Sequence, residues 1–381
     1  MIRWNADQTA LREGLARFGD DLSAGHIEGD EQAAFSHDKW RMIQKTGILS
    51  LPFDERYGGL GQSLLTTMYV LEGLGHTCRD GGLNFSVTTS MASTGVPLQA
   101  FGSPVLKDAY LPRIASGDAI GAHAITESES GSDAMQMRTR AVRDGDHFIL
   151  NGAKTFVSNG PVADVIVVYA RTHPQGGALG VTAFLLDADT PGLTTGNPIK
   201  KMGLRTSPLS ELYLDDVRVP ADRVLGRVGG GFLVLDHVMK REILYTFIVN
   251  TGEMQHRLAR CLDYAKTRMS FGKPIGSYQS VANKIVDTKI RLETARKWLY
   301  DTAQRLEAGD NVTVDMAIAK LLTSESNLAT SLAAVQVFGG NGYMSEYGLE
   351  KDVRNAVAGT IYSGSNEIQY NRIAAMLGLG K

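Results

Sequence analysis

The spacing of apolar residues changes twice along this chain of 381 residues, and the two changes restrict the folds open to it. In residues 1–118 the apolar positions mostly recur at helical spacing. In residues 119–228 the pattern becomes short β-branched runs, such as residues 165–169 (VIVVY), separated by Gly, Asn and Asp turns. In residues 229–381 the helical spacing returns. The order helix, strand, helix predicts an α+β fold, mainly α, with three domains at these limits.

The third region predicts long helices that lie beside one another. One face of its first helix, which we expect to stop before Gly272, is apolar at Met254, Leu258, Cys261, Leu262, Ala265 and Met269. A second apolar stripe runs through residues 281–299, and a third helix covers residues 315–338. Long amphipathic helices with short connections favour an antiparallel bundle.

Composition excludes several classes of protein. Lys and Arg number 39 against 41 Asp and Glu, a net charge of −2, so we expect no nucleic-acid partner. No apolar run approaches the ~20 residues that a membrane span needs, and residues 1–7 lack the apolar core of a secretory signal. Two cysteines, Cys78 and Cys261, suit a reducing compartment. We expect a cytoplasmic protein without a membrane partner or a metal site.

Two motifs in the β region are rich in hydroxyl groups. Residues 124–133 (AITESESGSD) place small hydroxylated side chains around a glycine, which suits a ring system rich in hydrogen-bond acceptors. A polar loop that enters the β domain is the alternative. In residues 154–160 (KTFVSNG) an aromatic and a hydroxyl side chain stand two apart, so they point the same way in an extended segment. A strand that ends in an Asn-Gly turn has the same pattern.

Two further motifs follow helices. Residues 268–279 (RMSFGKPIGSYQ) combine an arginine with a glycine break, a pattern that can bind phosphate, although a solvated helix end also carries such residues. Residues 336–343 (QVFGGNGY) contain paired glycines that permit close approach of the backbone. Because they follow a helix and not a strand, a Rossmann phosphate loop is a poor interpretation.

In their order and distances these motifs resemble the acyl-CoA dehydrogenase family over nearly the whole chain. Residues 57–61 (YGGLG), 216–220 (DVRVP) and 361–369 (IYSGSNEIQ) add to the resemblance. It implies an N-terminal helical domain, a middle β domain and a C-terminal four-helix bundle that bind FAD between subunits of a homodimer or homotetramer. The implied cofactor contacts are His123, Ile125, Thr126, Gly131, Ser132, Phe156, Ser158, Arg268, Phe271, Gln279, Gln336, Gly340, Ser365 and Glu367. Phe156 stands where the family usually has tryptophan.

The resemblance also implies a reaction, the α,β-dehydrogenation of an acyl thioester, for which this chain lacks the usual base. The family's common motif is Tyr-Glu-Gly-Thr, and its glutamate removes the α-proton; here Ser363 replaces that glutamate. A serine hydroxyl cannot act as this base unaided. The expected substrate contacts are Ser132, Arg241, Tyr245, Tyr362 and Gly364.

Some branches of the family place the glutamate on the helix that enters the bundle, directly before an arginine. Here that pair is Lys240-Arg241, and Glu242 follows it. One residue along a helix is a turn of ~100°, so Glu242 need not face the flavin. Glu242 as a displaced base is one hypothesis, and a surface or salt-bridge residue is the other. Asp236 and Glu129 are further local carboxylates.

Residues 241–247 (REILYTF) have large side chains at positions where relatives with long-chain substrates often have alanine or glycine. If Tyr245 lines the acyl cavity, a small, branched or functionalised acyl group on coenzyme A or an acyl-carrier protein is expected. Tyr245 as an ordinary core residue is the alternative. The expected electron acceptor is an electron-transfer flavoprotein or oxygen. Because the usual base is missing, a flavin oxygenase or oxidase and a non-catalytic subunit are alternative functions for the same scaffold.

Overall fold

The structure, a computed structural model, describes residues 2–379. The first part of the chain is helical. Most of its helices pack around a core that includes Trp40, Leu71 and Leu74, whereas the last two contribute Leu98 and Leu111 to a second core shared with the sheet. Its bounds are α1 Ala6–Ala16, α2 Gly19–Ser23, α3 His26–Gln32, α4 His37–Thr46, α5 Leu64–Thr77, α6 Gly81–Thr89, α7 Val96–Phe101 and α8 Pro104–Ser116. Side-chain caps start several of these helices, since Ser63 caps α5 and Ser103 caps α8.

A π-helical segment, Ser90–Gly95, joins α6 to α7 and packs on the first strand of the middle domain. Gly121 N donates to Ser90 Oγ at 2.9 Å, and Thr94 Oγ1 donates to the Ala122 carbonyl at 2.9 Å. A Cβ at Gly121 would lie 2.5 Å from Thr94 Cβ, so only glycine permits this approach. The contact fixes Ser93, inside the π segment, relative to the sheet.

The middle domain is an eight-stranded sheet in the order β6-β7-β3-β2-β4-β5-β8, with β1 paired in parallel to β4. Val165–Arg171 and Val181–Asp187 are buried along almost their whole length, as expected for central strands. The bounds are β1 Gly121–Ala124, β2 Arg140–Asp144, β3 His147–Ser158, β4 Val165–Arg171, β5 Val181–Asp187, β6 Leu193–Thr195, β7 Leu209–Pro220 and β8 Val224–Leu225.

The last part of the chain is the helical bundle, dominated by the 37-residue helix α9. Its elements are α9 Gly231–Thr267, β9 Met269–Ser270, β10 Lys273–Pro274, α10 Gln279–Glu307, α11 Thr313–Phe338, α12 Gly340–Tyr343, α13 Leu349–Ala358 and α14 Asn366–Met376. The prediction that Met269 lies on the first of these helices is wrong, because the chain turns there into the β9–β10 hairpin.

Helix α9 also joins the bundle to the N-terminal helices. It packs along α5, and a Cβ at Gly252 would lie 2.1 Å from the Glu72 carbonyl oxygen, so the two helix backbones nearly touch. The predicted fold class is confirmed, with helices, a central sheet and a helical bundle in that order. Among residues 2–379, no helix combines the length and the apolar character required to cross a membrane.

Candidate active site

Glu242 lies on a face of α9 that points toward α6 and the loop after α13. Glu242, Thr246 and Asn250 follow one another at intervals of four, so they lie on one side of the helix. Thr246 Oγ1 donates to Thr88 Oγ1 at 3.2 Å, and Asn250 Oδ1 accepts from the Tyr362 hydroxyl at 3.3 Å. The sequence left the direction of Glu242 open; the structure turns it toward the segment that contains Ser363.

The Glu242 carboxylate has hydroxyl partners on both of its oxygens. Ser363 Oγ donates to Glu242 Oε1 at 2.6 Å, and Ser93 Oγ donates to Glu242 Oε2 at 2.9 Å. His123 Nε2 lies 3.7 Å from the same Oε2. The side chains of His123 and Glu242 are 16% and 14% exposed, so the cluster is largely buried. The three partners come from the three parts of the fold, with His123 on β1.

The cluster offers no permanent positive charge to the carboxylate. Burial lowers the pKa of His123, and Glu242 opposes that shift, so we treat the imidazole as neutral near pH 7. The Tyr169 ring lies edge-on to His123 at 6.2 Å, and burial also raises the pKa of its hydroxyl. Within residues 2–379, no lysine or arginine forms an ion pair with Glu242. The hydrogen bonds to the carboxylate therefore come from neutral hydroxyl groups.

The other two carboxylates considered from the sequence have different surroundings. Asp236 forms an ion pair with Lys240 at 2.7 Å along α9. Glu129 forms one with Arg138 at 2.6 Å, and both side chains are exposed. Of the three, only Glu242 contacts Ser363.

The loop that holds Ser363 has a constrained backbone. Ser363 and Gly364 both have positive φ, 55° and 82°, and Ser363 is not a residue that favours this region. Gln369 Nε2 donates to both of their carbonyl oxygens, at 3.3 and 3.0 Å. Tyr362 packs against Phe85 and Phe247, with ring centroids 4.9 and 5.4 Å apart. These contacts fix the direction of the Ser363 side chain.

Arg241 and Tyr245 lie on another face of α9. Tyr245 is 2% exposed and belongs to the core shared with the N-terminal helices, where burial raises the pKa of its hydroxyl. Arg241 is half-buried, and burial lowers the pKa of its guanidinium; its Nη1 lies 3.5 Å from His237 Nδ1. The structure therefore does not bring these two predicted substrate contacts to the side of α9 that contains Glu242.

A buried ion pair anchors the loop of the first hydroxyl-rich motif. Lys154 Nζ lies 2.7 Å from Glu127 Oε1, and the Lys154 side chain is fully buried. Glu127 also accepts from the backbone N–H of Thr139 at 2.9 Å, so it ties both ends of residues 127–139 together. Thr155 N donates to the Thr126 carbonyl at 2.9 Å. Residues Ile125, Thr126, Gly131 and Ser132 are thus fixed against β3.

Phe156 is turned outward by an irregularity in β3. The register with β7 shifts between Lys154 and Val157, and Phe156 takes a φ of 55°. Its ring is 61% exposed. A Cβ at Gly131 would meet nothing within 4 Å, so the loop opposite also leaves open space. An exposed ring beside an open hydroxyl-rich loop fits a planar flavin.

The remaining predicted cofactor residues lie at three places in the helical bundle. Arg268, Phe271 and Gln279 follow α9, and Phe271, at the tip of the hairpin, is 95% exposed. Gln336 and Gly340 lie at the end of α11 and the start of α12. Ser365 and Glu367 begin α14, where Lys320 Nζ donates to Asn366 Oδ1 at 2.6 Å. Arg268, which caps the C-terminus of α9, lies 26 positions after Glu242, a distance of about 39 Å at helical rise.

The sequence interpretation missed Ser93 and the Lys154–Glu127 pair. Ser93 belongs to a run of hydroxyl residues at positions 88–94 (TTSMAST) inside an apolar helical region, and such a run is a signal for buried hydrogen bonding. The buried lysine has no local signal, because its partner is 27 residues away.

Fold and site together define a class of protein: a three-domain flavoprotein scaffold with a largely buried carboxylate next to a cluster of aromatic rings. Three family profiles match the chain, those of the acyl-CoA dehydrogenase N-terminal, middle and C-terminal domains, over residues 5–118, 122–217 and 229–378. The chain belongs to the acyl-CoA dehydrogenase family, as the resemblance of its motifs implied.

Several relatives are similar over almost their whole length. An L-prolyl-[peptidyl-carrier protein] dehydrogenase of Serratia sp. is 37% identical over 377 residues, 98% of this chain and 97% of that protein. The short-chain-specific acyl-CoA dehydrogenase of Megasphaera elsdenii is 34% identical over 92% of this chain and 93% of its own. Among solved structures, the prolyl acyl carrier protein oxidase AnaB has a TM-score of 0.96 at 37% identity, covering 99% of this chain and 100% of that one. PigA in complex with FAD has a TM-score of 0.96 at 36% identity, covering 100% and 99%.

Proposed function

We propose that this protein is an FAD-dependent dehydrogenase of a small acyl thioester, with Glu242 as its displaced base. The observation that supports this most directly is the 2.6 Å contact between Glu242 and Ser363. Ser363 occupies the position of the family's usual glutamate, so the carboxylate missing there is supplied from α9. A non-catalytic subunit would have no need of that replacement.

The chemistry requires a base beside the α-carbon of the thioester. Glu242 takes the α-proton, and the electron pair left behind forms the new double bond as hydride departs. When bound, FAD accepts that hydride. The carboxylate suits the task because it is largely buried and lacks a cationic partner, so little competes for its lone pairs. Backbone N–H groups near Ser363 and Gly364 are candidates to polarise the thioester carbonyl.

An L-prolyl group on a carrier protein is the substrate that we favour. The Tyr362 ring, next to Ser363, packs against the Phe85 and Phe247 rings, and large aromatic side chains at this place favour a short or cyclic acyl group over a long chain. Two relatives at 37% identity are L-prolyl-[peptidyl-carrier protein] dehydrogenases. In this assignment Ser132, Tyr362 and Gly364 are substrate contacts, and Arg241 and Tyr245 act only through packing.

The FAD site that we propose needs two subunits. His123, Ile125, Thr126, Gly131, Ser132, Phe156, Ser158, Ser365 and Glu367 form the flavin side. Arg268, Phe271, Gln279, Gln336 and Gly340 form the diphosphate and adenosine side. Since about 39 Å of α9 separates Arg268 from Glu242, one extended dinucleotide cannot reach both groups within one protomer. A second copy of the chain supplies the far group, so we propose a homodimer or homotetramer in the cytoplasm. We place the domain limits at residues 1–118, 119–228 and 229–381.

The reduced flavin could pass its electrons to either of two acceptors, oxygen or an electron-transfer flavoprotein. The structure with a TM-score of 0.96 that is named an oxidase favours oxygen, whereas a dehydrogenase would pass electrons to an electron-transfer flavoprotein. We favour the dehydrogenase form, because two relatives at 37% identity are named dehydrogenases.

Anaerobic mixing tests the proposal. The FAD-loaded protein is mixed with an L-prolyl-loaded carrier protein, with L-prolyl-pantetheine thioester, with butyryl-CoA and with palmitoyl-CoA, and loss of the oxidised flavin absorbance is followed. We expect bleaching with the prolyl thioesters and none with palmitoyl-CoA. Glu242→Gln should retain FAD and lose the bleaching. Bleaching of that variant at the parent rate would remove Glu242 as the base.

A further inference from the structure

Ser363 and Ser93, which are far apart in sequence, each donate a hydrogen bond to one oxygen of the Glu242 carboxylate. We propose that Ser93 and Ser363 are positioning residues: they fix the direction and plane of the Glu242 carboxylate for proton transfer. This rests on the proposed function of Glu242 and concerns residues that never receive the proton themselves.

The geometry requires two donors because a glutamate side chain has three rotatable bonds. One hydrogen bond leaves the carboxylate free to rotate about its acceptor atom. Ser363 on Oε1 at 2.6 Å and Ser93 on Oε2 at 2.9 Å fix both oxygens, so the position and the plane are set together. His123 does not replace either donor, because its Nε2 lies 3.7 Å away, beyond hydrogen-bond distance.

Both anchors are themselves rigid. Ser93 is fully buried in the π segment, and its neighbours Ser90 and Thr94 hydrogen-bond to β1. Ser363 lies in the loop whose carbonyl groups are held by Gln369. A π-helical turn is a common device for aiming a side chain at a functional site. The two hydroxyl groups therefore have fixed positions, and their hydrogen bonds set the position of the Glu242 carboxylate.

Hydroxyl groups also suit both protonation states of the base. A serine hydroxyl has one proton to donate and two lone pairs to accept with. Before proton transfer both serines donate to the carboxylate. After Glu242 has taken the α-proton, the hydroxyl nearest the acid proton can rotate and accept it in a hydrogen bond. Both oxygens of Glu242 therefore keep a hydrogen-bond partner in either state, so positioning does not oppose the proton transfer.

Alanine substitutions with a matched control test this proposal. Ser93→Ala and Ser363→Ala should each slow flavin reduction by L-prolyl-pantetheine thioester on the order of 10- to 100-fold, since misplacement of a reacting group by ~1 Å has that effect. KM, FAD content and Tm should change little. Ser50→Ala removes a buried serine hydroxyl that donates to the Gly47 carbonyl at 2.7 Å and is not bonded to Glu242 or to β1, so it should reduce flavin at the parent rate.

Two further measurements separate positioning from a structural effect. With thioester deuterated at the α-carbon, the primary kinetic isotope effect should rise in Ser93→Ala and Ser363→Ala, because proton transfer becomes the slower step. Ser363→Gly removes the hydroxyl and also suits the positive φ, so it should show the same kinetic defect as Ser363→Ala. The double variant should lose less than the product of the single losses, since both act on one carboxylate.

The outcomes decide the matter. Parent rates in Ser93→Ala and Ser363→Ala, with Glu242→Gln inactive, would overturn the positioning proposal and leave Glu242 as the base. An active Glu242→Gln would instead overturn the proposed function. Equal losses in Ser50→Ala and Ser93→Ala, or an unchanged isotope effect with a falling FAD content, would show a structural effect and refute the inference.

Discussion

The contact between Ser363 and Glu242 predicts that the base can be moved from α9 to the loop. In Ser363→Glu the new Cγ takes the place of Oγ, and a carboxylate oxygen lies about 2.4 Å beyond it from standard bond lengths. The present distance from Ser363 Oγ to Glu242 Oε1 is 2.6 Å. A glutamate at position 363 therefore brings a carboxylate oxygen close to the place that Glu242 Oε1 now occupies. In the double variant Glu242→Ser/Ser363→Glu, the first substitution removes the carboxylate from this place and the second supplies another carboxylate there.

The magnitude follows from the loss of a positioned base. Glu242→Ser alone should reduce the rate of flavin reduction by ~10²- to 10⁴-fold, about 3 to 5 kcal/mol in the barrier. The double variant should recover most of this, to within roughly 10-fold of the parent, because the carboxylate returns to nearly the same point. The remaining deficit reflects the lost Ser363 hydroxyl and the positive φ, which glutamate tolerates less well than glycine.

Stopped-flow flavin reduction with L-prolyl-pantetheine thioester under anaerobic conditions measures both variants. FAD content and Tm of each variant serve as the control for folding. Glu242→Gln, which keeps the size of the side chain, separates loss of the base from loss of packing. A folded, FAD-loaded double variant as slow as Glu242→Ser would refute the reasoning that positions 242 and 363 deliver a carboxylate to one place.

Three other outcomes are expected. Lys154→Met should lower the unfolding free energy by about 3–5 kcal/mol, seen in urea unfolding, because it leaves Glu127 buried without its partner; equal stability would contradict this. Phe156→Ala should weaken FAD binding by about 2- to 10-fold in a fluorescence titration, and Phe156→Trp should not. Burial lowers the pKa of His256 to about 3 and of His26 to about 4, so the unfolded chain binds more protons below pH 6.5. The urea midpoint should therefore fall as pH decreases from 6.5 toward 4, and a flat profile would argue against that account.

The fold was predictable from sequence because its signals are local. Apolar spacing of about 3.6 marks the bundle helices, and β-branched runs between turns mark β4 and β5. The end of α9 was misplaced by two residues, since Met269 has the apolar character of a helix position but pairs in the hairpin. Apolar character cannot separate these alternatives at a helix end, where pairing with residues further along the chain decides.

The site was predictable only in part because its geometry is set between distant segments. Sequence alone left Glu242, Asp236 and Glu129 as alternatives, and only the fold shows which of them meets Ser363. Ser93 could not be placed at all. A π turn adds a residue to the helical turn, so the 3.6 period no longer tells which hydroxyl of residues 88–94 points inward.

Correct packing of the three domains is required to position Glu242 as a base. The hydrogen-bond partners of Glu242 lie 149 residues before it and 121 residues after it, and His123 belongs to the sheet. No single domain contains the cluster, because Ser93 is held by packing on β1 and Glu242 by the packing of α9 on α5. A loosened contact between the N-terminal helices and the sheet would move Ser93 while leaving Glu242 and Ser363 together. Such a change would lower the rate of proton transfer before it lowered FAD content, so in this protein the accuracy of domain packing is part of the chemistry.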